Sequence, residues 1–585
     1  MISLAKKVYS IFNRKQKIKI LGLGIMILIG AILETLGVSM ILPLVSAILN
    51  LEELAKNEYV ILVCQMFSID NMDNFVILLL FSVVAIFVIK NAYLMLQTYA
   101  QAKFVNTEQA KTVSYMLEEY LNRPYEFYLN ADIPTVFRTI DGDVPKVFNV
   151  LLEYIKLATE AVVAVCLCVV ILMVDFKMTL LMTVILFGMT AVIIKVIKPT
   201  LRKMGGRTQA LQSQMGKWRL QSIYGIKDVK VLNKEYYFVD NFKKYADENA
   251  ELMSKYAVFN NMPRLLIETM CIAGILIYIA LCLITGQDVE SLIPQLSTFA
   301  VAAVRLMPSV SRMNTYMTNI TFFEPAVTYV YENVDFTDYK KYGRYIAKKK
   351  EDAPAISVKD SIKLEDISFK YPNTDKLILD KINMEIPIGK SVGIMGPSGS
   401  GKTTVVDVLL GLLQFENGKI SCGGVDVFEN YPSWLSQIGY IPQTIFLTDE
   451  AIRENVAFGV APDEIDDERV WEVLEEAQLT EYVKGLPDGI YTSTGDRGVR
   501  MSGGQRQRLG IARALYHNPE ILVFDEATSA LDTDTETAIM EAIDHFHGLK
   551  TLIIIAHRLR TLENCDIILK VDQGRVSETT IQSRE

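Results

Sequence analysis

Val392-Gly393-Ile394-Met395 runs directly into Gly396-Pro397-Ser398-Gly399-Ser400-Gly401-Lys402-Thr403-Thr404, and an apolar segment of helical character, 405–413, follows. A buried strand, a glycine-rich loop and a helix in that order give the G-x-x-x-x-G-K-[ST] phosphate loop the context it requires. Glycines let consecutive backbone N–H groups turn inward around phosphate oxygens, and the helix N-terminus adds a favourable dipole. In such a loop Lys402 reaches the β- and γ-phosphates and the Thr403 hydroxyl ligates Mg²⁺. A mere helix-capping turn is the plain alternative.

A second apolar run, 521–524, ends in Asp525-Glu526. Fully apolar strands belong in the middle of a covered sheet, whose ligands gather at the C-terminal strand ends. Asp525 is therefore placed to hold Mg²⁺, mostly through water. Glu526 is placed to polarise the water that attacks the γ-phosphate, the general-base role. Alone, an apolar run ending in two acids says little; downstream of a phosphate loop it carries weight. Met501-Ser502-Gly503-Gly504-Gln505 opens a helix expected over 506–516. Ser-Gly-Gly at a helix start is another anion-binding N-terminus. One nucleotide does not need two cradles in one chain, so the second is expected to serve a second molecule docked head to tail.

The remainder of the chain is of a different kind. Of 585 residues, 50% are apolar and 22% charged, and the mean hydropathy is +0.24. The apolar surplus falls in six segments, 18–49, 75–98, 150–174, 178–198, 263–284 and 291–310, most of a length suited to crossing a bilayer. A wholly soluble enzyme, a disordered chain and a fibrous repeat are excluded. With 59 basic against 68 acidic residues the net charge is −9, which suits no nucleic-acid partner. Seven scattered cysteines without a CxxC pair point to buried free thiols, not to disulfides or a zinc site.

Basic residues orient the spans. Lys6, Lys7, Arg14, Lys15, Lys17 and Lys19 precede the first, and Lys103, Lys111, Arg123, Arg138 and Lys146 separate the second and third. Arg202, Lys203, Lys243, Lys244 and Lys255 separate the fourth and fifth, whereas the intervening loops offer only Lys56 and Lys177. The positive-inside rule puts both ends of this unit in the cytoplasm. The two long cytoplasmic connections keep helical spacing, so the helices are expected to continue beyond the bilayer. Turns are expected near Arg123-Pro124-Tyr125-Glu126-Phe127 and Tyr224-Gly225-Ile226-Lys227, where Pro and Gly punctuate. The alternative is an ordinary amphipathic cytoplasmic domain. The expected layout is a six-helix membrane domain over 1–337, a charged linker over 338–360, and an α/β domain over 361–585, where short β-branched runs alternate with helices.

On these motifs the sequence resembles the ATP-binding cassette (ABC) family over essentially its whole length: an exporter-type α-helical membrane bundle followed by an α/β P-loop cassette. The resemblance implies that Tyr371, in Phe369-Lys370-Tyr371-Pro372, stacks on adenine. The phosphates of ATP then lie against Gly396, Pro397, Ser398, Gly399, Ser400, Gly401, Lys402, Thr403 and Thr404. Gln443, in Tyr440-Ile441-Pro442-Gln443, is similar to the glutamine that contacts Mg²⁺, beside Thr403 and Asp525, and senses the membrane domain. His557 resembles the switch histidine, so that Glu526, His557 and Gln443 form the catalytic set. Ser502, Gly503, Gly504 and Gln505 resemble the signature that closes the partner's site, with Met501 where leucine is usual. Ser529-Ala530-Leu531-Asp532 resembles the loop crossing the dimer interface. Thr494-Gly495-Asp496-Arg497-Gly498 resembles an exporter-specific stretch, with Asp496 at the usual glutamate. A six-span domain fused to one cassette is a half-exporter in this family, an ATPase that must dimerise. Since Lys402, Glu526, Ser502 and His557 are all present, a homodimer is expected in the inner cell membrane, with 123–130 and 222–230 as coupling helices.

Charges inside spans are expensive and mark candidate substrate contacts. Counted from Phe75 and Ser291, Lys90 and Arg305 sit at matching depths, about 21–22 Å below the outer surface at ~1.5 Å per residue. Arg312 falls two helical turns after Arg305 and so projects from the same face. Three cations converging on an inner-leaflet cavity suit a pyrophosphate or other anionic headgroup; snorkelling to the inner interface is the alternative. The constellation resembles the flippases of lipid-linked oligosaccharides, as do Glu34-Thr35 in the first span and the amphipathic stretch 51–59. Export of another amphiphile, such as a glycolipid, peptide or drug, is the second reading. Import, or a regulatory cassette, fits the fused order and the intact Glu526 and His557 less well.

Overall fold

The computed structural model describes residues 2–12, 14–39, 72–174, 176–284, 293–333, 355–372, 374–495, 498–526, 540–541, 543–556 and 559–579. The chain divides into two compact units. One comprises Met1–Leu121 with Ala131–Tyr339, the other Asn122–Asn130 with Lys340–Glu585. The nine residues from Asn122 to Asn130, placed by sequence within the membrane domain, thus group with the cassette residues. Much of the expected linker, and the stretch 51–59, lie outside the described residues.

The first unit is built, among the described residues, on six long helices: α1 (Arg14–Ser39), α2 (Met72–Leu121), α3 (Val144–Val174), α4 (Phe176–Tyr224), α5 (Glu235–Ile284) and α6 (Ile293–Asn333). Helices α2 and α5 have 50 residues each, or about 75 Å at 1.5 Å per residue, against a hydrocarbon layer of roughly 30 Å. The continuations beyond the bilayer are therefore unbroken helix. Breaks fall at the expected punctuation. The short helix Tyr125–Asn130 follows Pro124, and the short helix Ile226–Val231 follows Gly225.

Helix α6 packs along α3 and α4, and α4 packs along α5. Ala31, Val163, Leu167, Leu186, Ile267, Leu306 and Val310 form an apolar cluster drawn from five of the helices. The approach of α4 to α6 is close enough that a Cβ at Gly205 would run into the Phe322 carbonyl. Outward positions are apolar as well: Phe81 is 70% exposed and Val196 68%, the pattern of a lipid-facing surface. Below it the polar interior is ordered by Asp143, which is fully buried in a single π-helical turn, Thr139–Asp143. Asp143 pairs with Arg138 at 3.0 Å and Lys146 at 3.4 Å and accepts from Gln209 Nε2 at 2.8 Å.

The second unit carries two sheets. Strands β1 (Ser361–Lys370), β2 (Leu377–Pro387), β4 (Asn417–Cys422) and β5 (Val425–Asp426) form an antiparallel sheet in the order β2-β1-β4-β5. Strands β3 (Ser391–Met395), β6 (Ile438–Ile441), β7 (Ile521–Asp525), β8 (Thr551–Ile555), β9 (Ile567–Asp572) and β10 (Arg575–Thr579) form the other, in the order β10-β9-β3-β8-β7-β6. Pairing from β9 to β6 is parallel, and β10 is an antiparallel edge. Alternate residues of β7 and β8 enter two different cores. Leu522, Phe524, Leu552 and Ile554 lie on one face, and Ile521, Val523, Ile553 and Ile555 on the other. This double burial is why both strands read as continuous apolar runs.

Candidate functional site

Three loops at the C-terminal ends of β3, β6 and β7 bring the predicted chemistry together. After β3 the backbone turns so tightly that a Cβ at Gly396 would collide with the Val571 carbonyl and lie 2.7 Å from Ser400 Oγ. The helix begins at Lys402, earlier than the periodicity predicts, and spans Lys402–Leu409. Lys402 is buried, and its Nζ donates to the Gly396 and Pro397 carbonyls at 3.0 and 3.1 Å. Burial lowers its ammonium pKa, against the opposing pull of Glu526 and Asp525. The Ser400 hydroxyl oxygen is buried without a hydrogen-bond partner among the described residues. A loop with a buried cation turned onto its own carbonyls and an unsatisfied hydroxyl fits a polyanion.

Asp525 ends β7 and is buried; Glu526 follows in a left-handed conformation, φ 50°. That conformation is uncommon outside glycine. It is held by the Glu526 N–H donating to the Ile555 carbonyl at 3.1 Å. Gln443 Nε2 donates to the Glu526 carboxylate at 2.8 Å. Burial raises the Asp525 pKa and the adjacent Glu526 adds to the rise, while the Tyr440 hydroxyl donates to Asp525 Oδ2 at 3.3 Å and opposes it. A dication would relieve the crowding of these two carboxylates, and the all-oxygen donors suit Mg²⁺. Thr403 is exposed on the first turn of the phosphate-loop helix. Tyr371 meets Phe369 edge to face and shares a 3.1 Å hydrogen bond with Thr404 Oγ1.

Ser502 caps the helix Gly503–Leu515 in a full capping box, its oxygen accepting from the Gln505 N–H while Gln505 Oε1 accepts from the Ser502 N–H. The box explains why the helix starts three residues before the predicted Arg506. Met501, 6% exposed, packs into the apolar core behind it. His557, Asp496, Arg497 and the stretch 529–532 lie outside the described residues.

Sequence reasoning missed two neighbours of Asp525. Tyr440 stands in the quoted Tyr-Ile-Pro-Gln stretch, and pairing of β6 with β7 sets it opposite Val523, two residues from Asp525. Asp407, on the phosphate-loop helix, interacts with Asp525 and is pushed up to about 6, chiefly by burial.

In the helical unit, Lys90 lies 4.6 Å from the Phe87 ring centre. Arg312 is ion-paired with Glu160 of α3 through two contacts, Nε to Oε1 at 2.6 Å and Nη2 to Oε2 at 3.0 Å. Glu34 interacts electrostatically with Glu160, Lys90 and Arg312. The side chain of Arg305 lies outside the described residues. Carboxylates thus stand among the predicted cations. Its position as a charge inside the apolar run 150–174 is the signal by which the sequence could reveal Glu160.

Both parts of the chain match known protein families. Residues 20–302 match the ABC transporter transmembrane region and residues 379–529 the ABC transporter domain. The ATP-dependent lipid A-core flippase of Cupriavidus pinatubonensis is 29% identical over 79% of this chain and 78% of its own. That of Methylobacillus flagellatus is 30% identical over 69% of this chain and 67% of its own. Among solved structures, a bacterial Atm1-family ABC exporter with ATP bound is 22% identical, covers 97% of this chain and 95% of its own, and gives a TM-score of 0.75, which shows the fold. The chain belongs to the ABC transporter family, as a multi-pass half-transporter of exporter type whose cassette binds ATP and couples its hydrolysis to transport.

Proposed function

We propose that two copies of this chain form a homodimeric flippase that moves a lipid-linked oligosaccharide, or a similar polyprenyl-pyrophosphate glycolipid, across the inner membrane, with both termini cytoplasmic. The observation that carries the substrate reading is the group of charged side chains on α1, α2, α3 and α6, with Lys90 and Arg312 as its cations. Names of relatives support a lipid substrate, and their lipid A-core also favours a second reading, export of another anionic glycolipid.

In the cassette, Lys402 and the loop 396–404 bind the phosphates, and Tyr371 stacks on the base. Asp525, Thr403 and Gln443 would hold Mg²⁺, which when bound neutralises charge on the transferred phosphoryl group. Glu526 accepts the proton of the attacking water, its carboxylate oriented by the Gln443 amide. The Ser502 oxygen already accepts from its own helix, so its O–H is the group left to donate to a phosphate on the partner cassette. His557 is assigned to the γ-phosphate, and the short helices Tyr125–Asn130 and Ile226–Val231 to coupling.

A reconstituted flipping assay tests the substrate. A lipid-linked glycan should be flipped in preference to an ordinary phospholipid or a hydrophobic drug, and replacing Lys90 and Arg305 by Ala should abolish that flipping. Equal flipping of all three lipids, or an unchanged double variant, refutes the pyrophosphate site.

A further inference from the structure

The Glu160–Arg312 pair is unexpected in a site for anions. Arg312 offers its carboxylate partner one edge of the guanidinium, with Nε and Nη2 each contacting a different oxygen, and Nη2 also reaches Ser309 Oγ at 3.3 Å. That edge is one a phosphate can take, because carboxylate and phosphate oxygens match the guanidinium fork in the same bidentate way. The two anions therefore compete for that edge. The pair is also accessible, since the Arg312 side chain is 46% exposed although that of Glu160 is 15% exposed. Glu34 interacts electrostatically with Lys90, Glu160 and Arg312. A half-buried guanidinium at the end of an apolar span is stabilised by a counter-ion whether or not a lipid is present.

We propose that Glu160 is the resident counter-ion of Arg312, which an anionic headgroup displaces on binding and which displaces the headgroup on release. This rests on the anionic-headgroup reading above. Exchange of one anion for another keeps Arg312 paired throughout the cycle and prevents the site from holding its lipid too tightly. A static brace between α3 and α6 would use the same contacts but would not compete with substrate.

The test uses the full-length protein in nanodiscs, titrated with a polyprenyl pyrophosphate and, separately, with the neutral polyprenol, reading half-stimulating concentration for ATP hydrolysis and the flipping rate. Glu160→Gln should lower the half-stimulating concentration of the pyrophosphate about tenfold and slow flipping at saturation. Glu160→Asp, which keeps the charge but shortens the reach, should shift it in the same direction by a few-fold. An unchanged or higher half-stimulating concentration in either variant overturns the counter-ion role. The parent reading fails separately: wild-type protein would respond equally to both lipids, or Arg312→Ala would respond to pyrophosphate as wild type does.

Discussion

The ends of β3, β6 and β7 and the charged group on α1, α2, α3 and α6 are built in opposite ways. In the cassette, Asp525 and Glu526 stand at the end of a strand whose apolar residues fix its depth, and Lys402 and Gln443 follow β3 and β6 after short loops. Lys402, Asp525, Glu526 and Gln443 meet because parallel neighbours β7 and β6, and β3 across β8, end at one edge. In the helical unit, Glu34, Lys90, Glu160 and Arg312 come from four helices scattered over most of the unit. Their meeting depends on helix packing, and each is surrounded by residues that any span could contain. Chemistry carried on strand ends is therefore local and strongly specified, whereas chemistry carried on helix faces is a property of the assembled bundle.

The sharpest way to break that contrast is Glu526→Gln. The amide keeps the shape, the left-handed backbone and a partner for Gln443, but cannot accept the proton of the attacking water. ATP hydrolysis should fall by roughly a thousandfold while nucleotide binding, followed by equilibrium titration, persists. Near-normal turnover would remove Glu526 as the base.

The helical counterpart is Asp143→Asn. Loss of this carboxylate leaves Arg138 and Lys146 partly buried without their shared anion, at a cost of roughly 3 kcal/mol. Thermal unfolding of the purified transporter should move down by several degrees. If the midpoint holds, the π-turn around Asp143 is not what orders this part of the helical unit.

How far the sequence carries follows the same contrast. The strand at Ser391–Met395, the carboxylates after Phe524 and the capped helix after Ser502 are legible because strand, loop and helix are contiguous and their residue types are demanded by backbone geometry. The short helices at Tyr125 and Ile226 are legible from Pro124 and Gly225. What escapes is contact between segments distant in sequence. No periodicity says that Glu160 faces Arg312, that Asp407 stands near Asp525, or that Asn122–Asn130 groups with the cassette residues. Depth counting puts Lys90 and Arg305 level with each other, but it is blind to which helices are neighbours and so to the Glu160 carboxylate that pairs with Arg312.

Asp407 offers a finer probe, because its charge state reports burial beside Asp525. Its carboxyl is pushed up to about 6, above the ordinary value near 3.9. The folded state therefore binds the proton more tightly than the unfolded chain does. The associated stability is full below the unfolded value and is lost as pH rises through about 6. In nucleotide-free protein Asp407→Asn should be more stable than wild type at pH 8, by about 1 kcal/mol after allowing for solvent screening of a partly exposed group. The gap should narrow as pH falls towards 5. A gap that is constant with pH would mean that Asp407 is not titrating against its surroundings, and that proximity across β7 and the phosphate-loop helix matters less than the strand ends themselves.

The smallest effect separates packing from contact within the signature itself. Met501 is buried in the core behind Ser502, whereas Ser502 is exposed and held by its capping box. If the signature acts through its backbone and the Ser502 hydroxyl, the residue at 501 matters only as volume. Met501→Leu is a nearly volume-conserving exchange, expected to change stability by less than about 1.5 kcal/mol and ATP hydrolysis by less than about twofold. Ser502→Ala alters no core volume but removes the cap and the phosphate donor, and should cost far more activity than stability. A Met501→Leu variant whose hydrolysis changes tenfold while its unfolding does not would show that the core transmits to the loop, and that the cassette is less local than its strand ends make it look.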